Sequence, residues 1–225
     1  MTISIVNAGV GGNSTGATAT ISGVTVPAGA IIVVLVGEAS GASSLGSVSD
    51  SAGNSYSIIT QAANDGSPVF GVGGIFYSTT GNALSNGTIT YTKQSSPDAA
   101  SLSAVYVTGA AATNPLDTAV TASATGLSTN PSVTSGTPAT NCELFIGALS
   151  WSPNSGTFGE DGGNGWATPP NQGTSESFTV VAGGSQVNGS YGAKTFAPSL
   201  SASFKWAAFI IGFKAPPSGR FLAIL

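Results

Sequence analysis

The chain contains no histidine and a single cysteine, Cys142, and only 6% of its 225 residues are Asp, Glu, Lys or Arg. Each shortage excludes chemistry. Without imidazole there is no Ser-His triad, no Cys-His pair and no zinc site that relies on histidine. One cysteine forms no intrachain disulfide and no thiolate cluster, so Cys142 reads as a small apolar residue at the mouth of the strand Glu143–Ile146. The five bases Lys93, Lys194, Lys205, Lys214 and Arg220 are scattered singly, and phosphate neutralisation needs clustered cations, so no nucleic acid is expected as a partner. A typical soluble domain has about 25% charged residues. Here solubility must rest on Ser, Thr, Asn and Gln and on the backbone around 32 glycines. Such a surface has few long side chains to immobilise when it is covered, which suits extensive contacts.

Long apolar runs are missing too. Ile31–Val36 is far too short to span a bilayer, and Met1–Val6 has neither a basic start nor a sustained apolar core. The expectation is no membrane partner and synthesis in a host cytoplasm without a signal peptide.

What is present is a β pattern. Short stretches of Val, Ile, Thr and aromatics alternate with Gly, Ser, Asn, Asp and Pro, and helical periodicity is nearly absent. Strands are expected near Thr2–Val6, Ala17–Val26, Ile31–Glu38, Ser55–Gln61, Val69–Ser78, Thr88–Lys93 and Ser101–Thr108. A second series is expected near Thr118–Ala124, Glu143–Trp151, Ser177–Ala182, Tyr191–Phe196 and Ser203–Lys214. Thr88-Ile89-Thr90-Tyr91-Thr92 alternates cleanly, one face buried and one wet. Ile31–Val36 does not alternate, which predicts a central strand covered on both sides. Asn86-Gly87 and Asn188-Gly189 read as tight hairpin turns. The fold class is therefore all-β, an antiparallel β-sandwich of jelly-roll type.

A faint echo runs through the chain. Pro27-Ala28, Ile31–Glu38, Asp50–Asn54 and Val105–Gly109 have counterparts in Pro138-Ala139, Glu143–Leu149, Asp161–Asn164 and Phe209–Gly212. It suggests two similar halves, 17–110 and 130–214, inside one sandwich domain of residues 1–214. Residues 215–225 form a C-terminal arm. In it Pro216-Pro217 ends the last strand, and Arg220, Phe221, Leu222, Ala223, Ile224 and Leu225 either fold back on the sandwich or dock on a neighbouring subunit.

Candidate sites are few. Only Glu160-Asp161 pairs acids locally, in a glycine-rich loop where wet acids are ordinary, so no catalytic residues are expected. Asp50–Asn54 and Glu160–Asn164 offer oxygen ligands but miss the alternating-acid calcium loop, and Asx turns explain both. No metal and no cofactor are expected. Gly9–Gly16 lacks the lysine of a phosphate loop, and Gly71–Gly74 lies inside a strand pattern, where glycine marks close backbone approach. Trp151 and Trp166 flank Ser152–Gly165 and are the candidates for stacking on a sugar ring, against an ordinary place in the core.

The succession Asp50-Ser51-Ala52-Gly53-Asn54-Ser55-Tyr56, Ile75-Phe76-Tyr77, Gly87–Tyr91, Val105–Gly109, Glu143–Ile146 and Trp206–Phe213 resembles β-sandwich modules of tailed-phage virion proteins and bacterial surface proteins. The likeness covers Ala17–Lys214 and lies in the order of the motifs. It implies a structural or adhesive role and brings no catalytic residues with it. The expectation is a non-enzymatic virion protein on the particle surface, a capsid decoration (cement) protein. Its partners would be a major capsid protein and its own copies, as a homo-oligomer with a trimer favoured. A tail or fibre component and a carbohydrate-binding or adhesin module are the alternatives.

Overall fold

The computed structural model describes residues 3–39, 44–64, 71–94, 99–138, 142–152, 156–159, 161, 165–167, 173–174, 180–187 and 192–216. Antiparallel sheets packed on one another make up the molecule, which is an all-β sandwich as the strand and turn pattern predicts. Strands β1 (Ser4–Asn13), β2 (Thr18–Val26), β3 (Ile31–Ala39) and β4 (Ser47–Asp50) open the first half. Strands β5 (Tyr56–Ala63), β6 (Val72–Ser78), β7 (Leu84–Thr92) and β8 (Ala99–Thr108) complete it. The second half begins with β9 (Ala122–Ser128), β10 (Val133–Thr134), β11 (Cys142–Ser152) and β12 (Phe158–Gly159). It continues through β13 (Gly173–Thr174), β14 (Val180–Val187), β15 (Thr195–Phe196), β16 (Ser199–Leu200) and β17 (Phe204–Lys214).

Four layers result. The outer sheet β2-β7-β4 covers the five-stranded sheet β1-β8-β3-β6-β5. The latter packs on the five-stranded sheet β13-β14-β11-β17-β9, whose far face is covered by the short pairs β10-β15 and β12-β16. The apolar run of β3 follows from this stacking. Ile32, Val34 and Val36 face the outer sheet, whereas Val33 and Leu35 face the second half. β11 is used in the same way, with Leu144, Ile146 and Ala148 on the inner side and Phe145, Leu149 and Trp151 on the other. Where both faces of a strand are dry, apolar residues are favoured at successive positions, which is why alternation disappears over Ile31–Val36.

The two halves share one wiring. Within the first, β1 pairs β8, β2 pairs β7 and β3 pairs β6, with β3 also beside β8 and β4 beside β7. Within the second, β9 pairs β17, β10 pairs β15 and β11 pairs β14, with β11 also beside β17 and β12 beside β16. The stacking between them is self-complementary. β1 lies against β13, β8 against β14, β3 against β11, β6 against β17 and β5 against β9. Exchanging equivalent strands returns the same set of contacts, as in a two-fold homodimer.

Glycine permits the close approach of the two inner sheets. A Cβ on Gly73 of β6 would lie 2.2 Å from the Ser150 hydroxyl of β11 and 3.2 Å from the Phe209 ring of β17. Three local expectations need correction. Asn86-Gly87 is not a hairpin turn but lies inside β7, with Asn86 at φ 51°, opposite the register shifts between Ser22 and Val26 of β2. A positive φ in mid-strand kinks the ladder instead of reversing it. The expected strand Thr118–Ala124 is split: Thr118–Val120 is a 3-10 turn capped by Asp117, and β9 starts at Ala122. The first strand runs on through the glycines to Asn13, with a register shift between Asn7 and Gly9. Asn188-Gly189 lies outside the described residues.

Candidate functional site

Each described acid with resolved bonds serves the frame. Glu38 on β3 is fully buried and accepts hydrogen bonds from the Tyr91 hydroxyl and, at 3.4 Å, from the Gln94 amide. The Tyr91 oxygen accepts in turn from the Gly46 amide at 2.9 Å, and Gln61 Oε1 accepts from the Leu45 amide at 2.9 Å. This network joins the outer sheet to the sheet beneath it. Burial, and then the bond to Glu38, hold the Tyr91 phenol well above its ordinary pKa.

Asp50 organises the turn after β4. Its carboxyl accepts from the amides of Ala52 at 2.9 Å and Asn54 at 3.0 Å, from Asn54 Nδ2 at 2.8 Å and from the Tyr56 hydroxyl at 2.8 Å. Burial and Asp50 raise the Tyr56 phenol in the same sense. The Asn54 side chain relays the network onward, donating to the Asn82 carbonyl and accepting from the Asn82 amide. The Asx-turn reading of Asp50–Asn54 describes these bonds. Asp117 caps its 3-10 turn through Ala119 N at 3.1 Å, and Asp161 Oδ2 accepts from Ala197 N at 2.6 Å. The four acids thus sit in four separate networks. Among the described residues no group of three or more His, Cys, Asp or Glu side chains is placed to hold a metal ion.

The sugar-stacking reading of Trp151 and Trp166 is overturned, because both rings are buried, at 1% and 3% exposure. Trp151 stacks on Phe158 with centroids 6.0 Å apart. Trp166 meets Phe196 edge-on at 5.1 Å and donates its indole N–H to the Thr195 carbonyl at 2.7 Å. Apolar bulk outweighs loop position here: β11 presents Trp151 to the outer core, and the layer beyond it closes over both rings. The arm residues Arg220, Phe221, Leu222, Ala223, Ile224 and Leu225 lie outside the described residues, as do Glu160 and Asn164.

A surface feature that the strand pattern shows only in part is the outer face of β2-β7-β4. Thr18, Thr92 and Ser47 align in one row across the three strands, and Thr20, Thr90 and Ser49 in the next. Ser22 and Thr88 continue the array. Neighbouring hydroxyls therefore stand roughly 4.8 Å apart across the strands and about 6.7 Å apart along them. The opposite faces of these strands carry Ala19, Ile21, Val48, Ile89 and Tyr91, all buried. The alternation in Thr88–Thr92 marks one strand of this face. Its width emerges only when β2 and β4 are laid on either side.

No family model matches the chain, and comparisons with curated proteins and with solved structures return no match.

Proposed function

We propose that this chain is a non-enzymatic structural protein of a bacteriophage virion, a capsid decoration protein that stabilises the head through contacts between subunits. The observation that carries the reading is the hydroxyl face on a doubly covered frame. The outer sheet presents rows of short, uncharged side chains, while its one acid, Asp50, is taken up by the Tyr56 hydroxyl and the turn amides. Covering such a face costs little side-chain entropy, and many copies make weak wet contacts collectively strong. The partners are a major capsid protein and further copies of the chain, with a trimer favoured and the arm Arg220–Leu225 reaching across neighbours. A tail or fibre location keeps the same physics.

The wiring supports two finer proposals. Pairing of first with last strand, second with seventh and third with sixth is an antiparallel ribbon rolled on itself, which supports the jelly-roll reading. Its recurrence supports descent of the two halves, β1–β8 and β9–β17, from one duplicated unit. Each half starts earlier in the chain than the 17–110 and 130–214 of the sequence echo, because β1 and β9 belong to the repeated wiring.

Mass spectrometry of purified particles tests the location directly, and occupancy of the Thr20→Lys/Thr90→Lys variant tests the face. Stoichiometric wild-type incorporation with loss in the variant is expected. Absence of the chain from particles refutes the proposal.

A further inference from the structure

Beyond β8, residues 109–117 cross to the second half and enclose a cleft of about 920 Å³, within the roughly 300–1,000 Å³ of small-molecule sites. Its wall is held firmly. Ala111 N donates to the Lys214 carbonyl at 2.9 Å, Lys214 N to the Pro115 carbonyl at 2.7 Å and Asp117 N to the Gly212 carbonyl at 2.8 Å. Leu116 bridges to Phe213 in the same stretch. The apolar lining comes from Ile31, Val107 and Leu116 at the end of the inner core, with the half-buried ring of Tyr77 beside them.

The polar lining divides into committed and uncommitted groups. Thr79 donates to the Ser55 carbonyl at 3.2 Å, Thr80 to Asn54 Oδ1 at 3.1 Å, and Ser78 accepts from the Ile32 amide at 2.8 Å. The Tyr77 hydroxyl, the Asn114 amide, the Thr118 hydroxyl and the Lys214 ammonium have no side-chain hydrogen bond or ion pair among the described residues. Asn114 is held at φ 47°, in the left-handed region, on the crossover itself. Among the described residues no acid lines the cleft, so Lys214 makes it positive within a chain of net charge -4.

A matching ligand needs one negative charge, several hydroxyls and an apolar face. A compact inorganic anion leaves the apolar lining unused. A polyphosphate asks for more than one cation. An apolar peptide would strand four polar side chains, each costly to desolvate unpaired. We infer that the cleft binds a carboxylated sugar, a hexuronate unit of an acidic polysaccharide. Lys214 pairs with the carboxylate, Asn114, Thr118 and the Tyr77 hydroxyl bond the ring hydroxyls, and the Tyr77 ring packs against the C–H face. This site does not depend on where the protein resides.

The test is a titration of the full chain with trigalacturonate, followed by NMR and calorimetry, with its methyl ester and maltotriose as neutral controls. Saturable binding of the acid is expected, about tenfold weaker for Lys214→Met and for the ester, and weaker in salt. Asn114→Gly weakens it also, with thermal stability near wild type, because glycine adopts the left-handed backbone of this position and the side chain supports no other group. Equal binding of acidic and neutral oligomers, binding unchanged in Lys214→Met, or no saturable binding by the wild type overturns the inference. Particle location is read separately, so the two proposals fail independently.

Discussion

Replacing Tyr91 by phenylalanine removes one oxygen from the junction of the two sheets in the first half and leaves the ring in place. Two bonds go with it, the one donated to buried Glu38 and the one accepted from Gly46 N. A hydrogen bond to a charged group contributes about 1.5–3 kcal/mol, and a stranded amide costs about 1 kcal/mol more. The expected loss is thus about 2–4 kcal/mol, or roughly 5–15 °C in Tm for a chain of this size. Differential scanning calorimetry at pH 7 reads that shift.

Alkali gives a second, independent readout. The folded Tyr91 phenol titrates above its unfolded value of about 10, so the folded state holds the proton longer. Its contribution to stability is fully present below pH ~10 and is lost as pH rises beyond it, by up to about 1.4 kcal/mol per pH unit. Tyr56 adds a second raised phenol, so Tyr91→Phe flattens the alkaline fall without abolishing it. Tyr106→Phe is the control, since its hydroxyl has no hydrogen bond among the described residues. A Tyr91→Phe protein with wild-type Tm and an unchanged alkaline slope refutes a stabilising role for the Tyr91–Glu38 bond.

Gly73→Ala drives a methyl into the Ser150 hydroxyl between the inner sheets and is expected to cost about 1–3 kcal/mol in urea unfolding. Ser150→Ala removes a buried hydroxyl that has no partner among the described residues, so it is expected to be neutral or stabilising and to relieve part of the Gly73→Ala cost in a double-mutant cycle. Asp50→Ala leaves two amides, Asn54 Nδ2 and the Tyr56 hydroxyl without their acceptor, and a loss of about 2–4 kcal/mol is expected by chemical denaturation. Phe209→Ala empties a fully buried site between the halves and is expected to cost about 3–5 kcal/mol, measured by calorimetry.

Much of the frame was legible because local chemistry dictates it. Thr88–Thr92 alternates since one of its faces is wet, and Asp50–Asn54 carries its turn geometry in its own side chains. Short elements were not legible. β10, β12, β15 and β16 are two residues each, too brief for any periodicity, and they cover the far face of β11 and β17. The burial of Trp151 and Trp166 was hidden for the same reason, since the covering layer is assembled from segments distant in the chain. The cleft was hidden as well, because Tyr77, Asn114 and Lys214 meet only through the crossover.

The chain by itself determined the β class, the uncharged surface and the doubly covered strand Ile31–Val36, because side-chain composition sets which faces tolerate water. Tertiary structure alone decided how those faces were matched. Two halves of matching wiring, with β15 and β16 together in the place of β7, meet through Val33, Leu35, Ile146 and Phe209, since an apolar sheet face left bare on each half is buried by the equivalent face of the other. The missing histidines removed the Ser-His triad and imidazole metal sites at the level of sequence. The hydrogen bonds of Glu38, Asp50, Asp117 and Asp161 assigned those four acids to the frame, and only the folded chain brings their partners within reach.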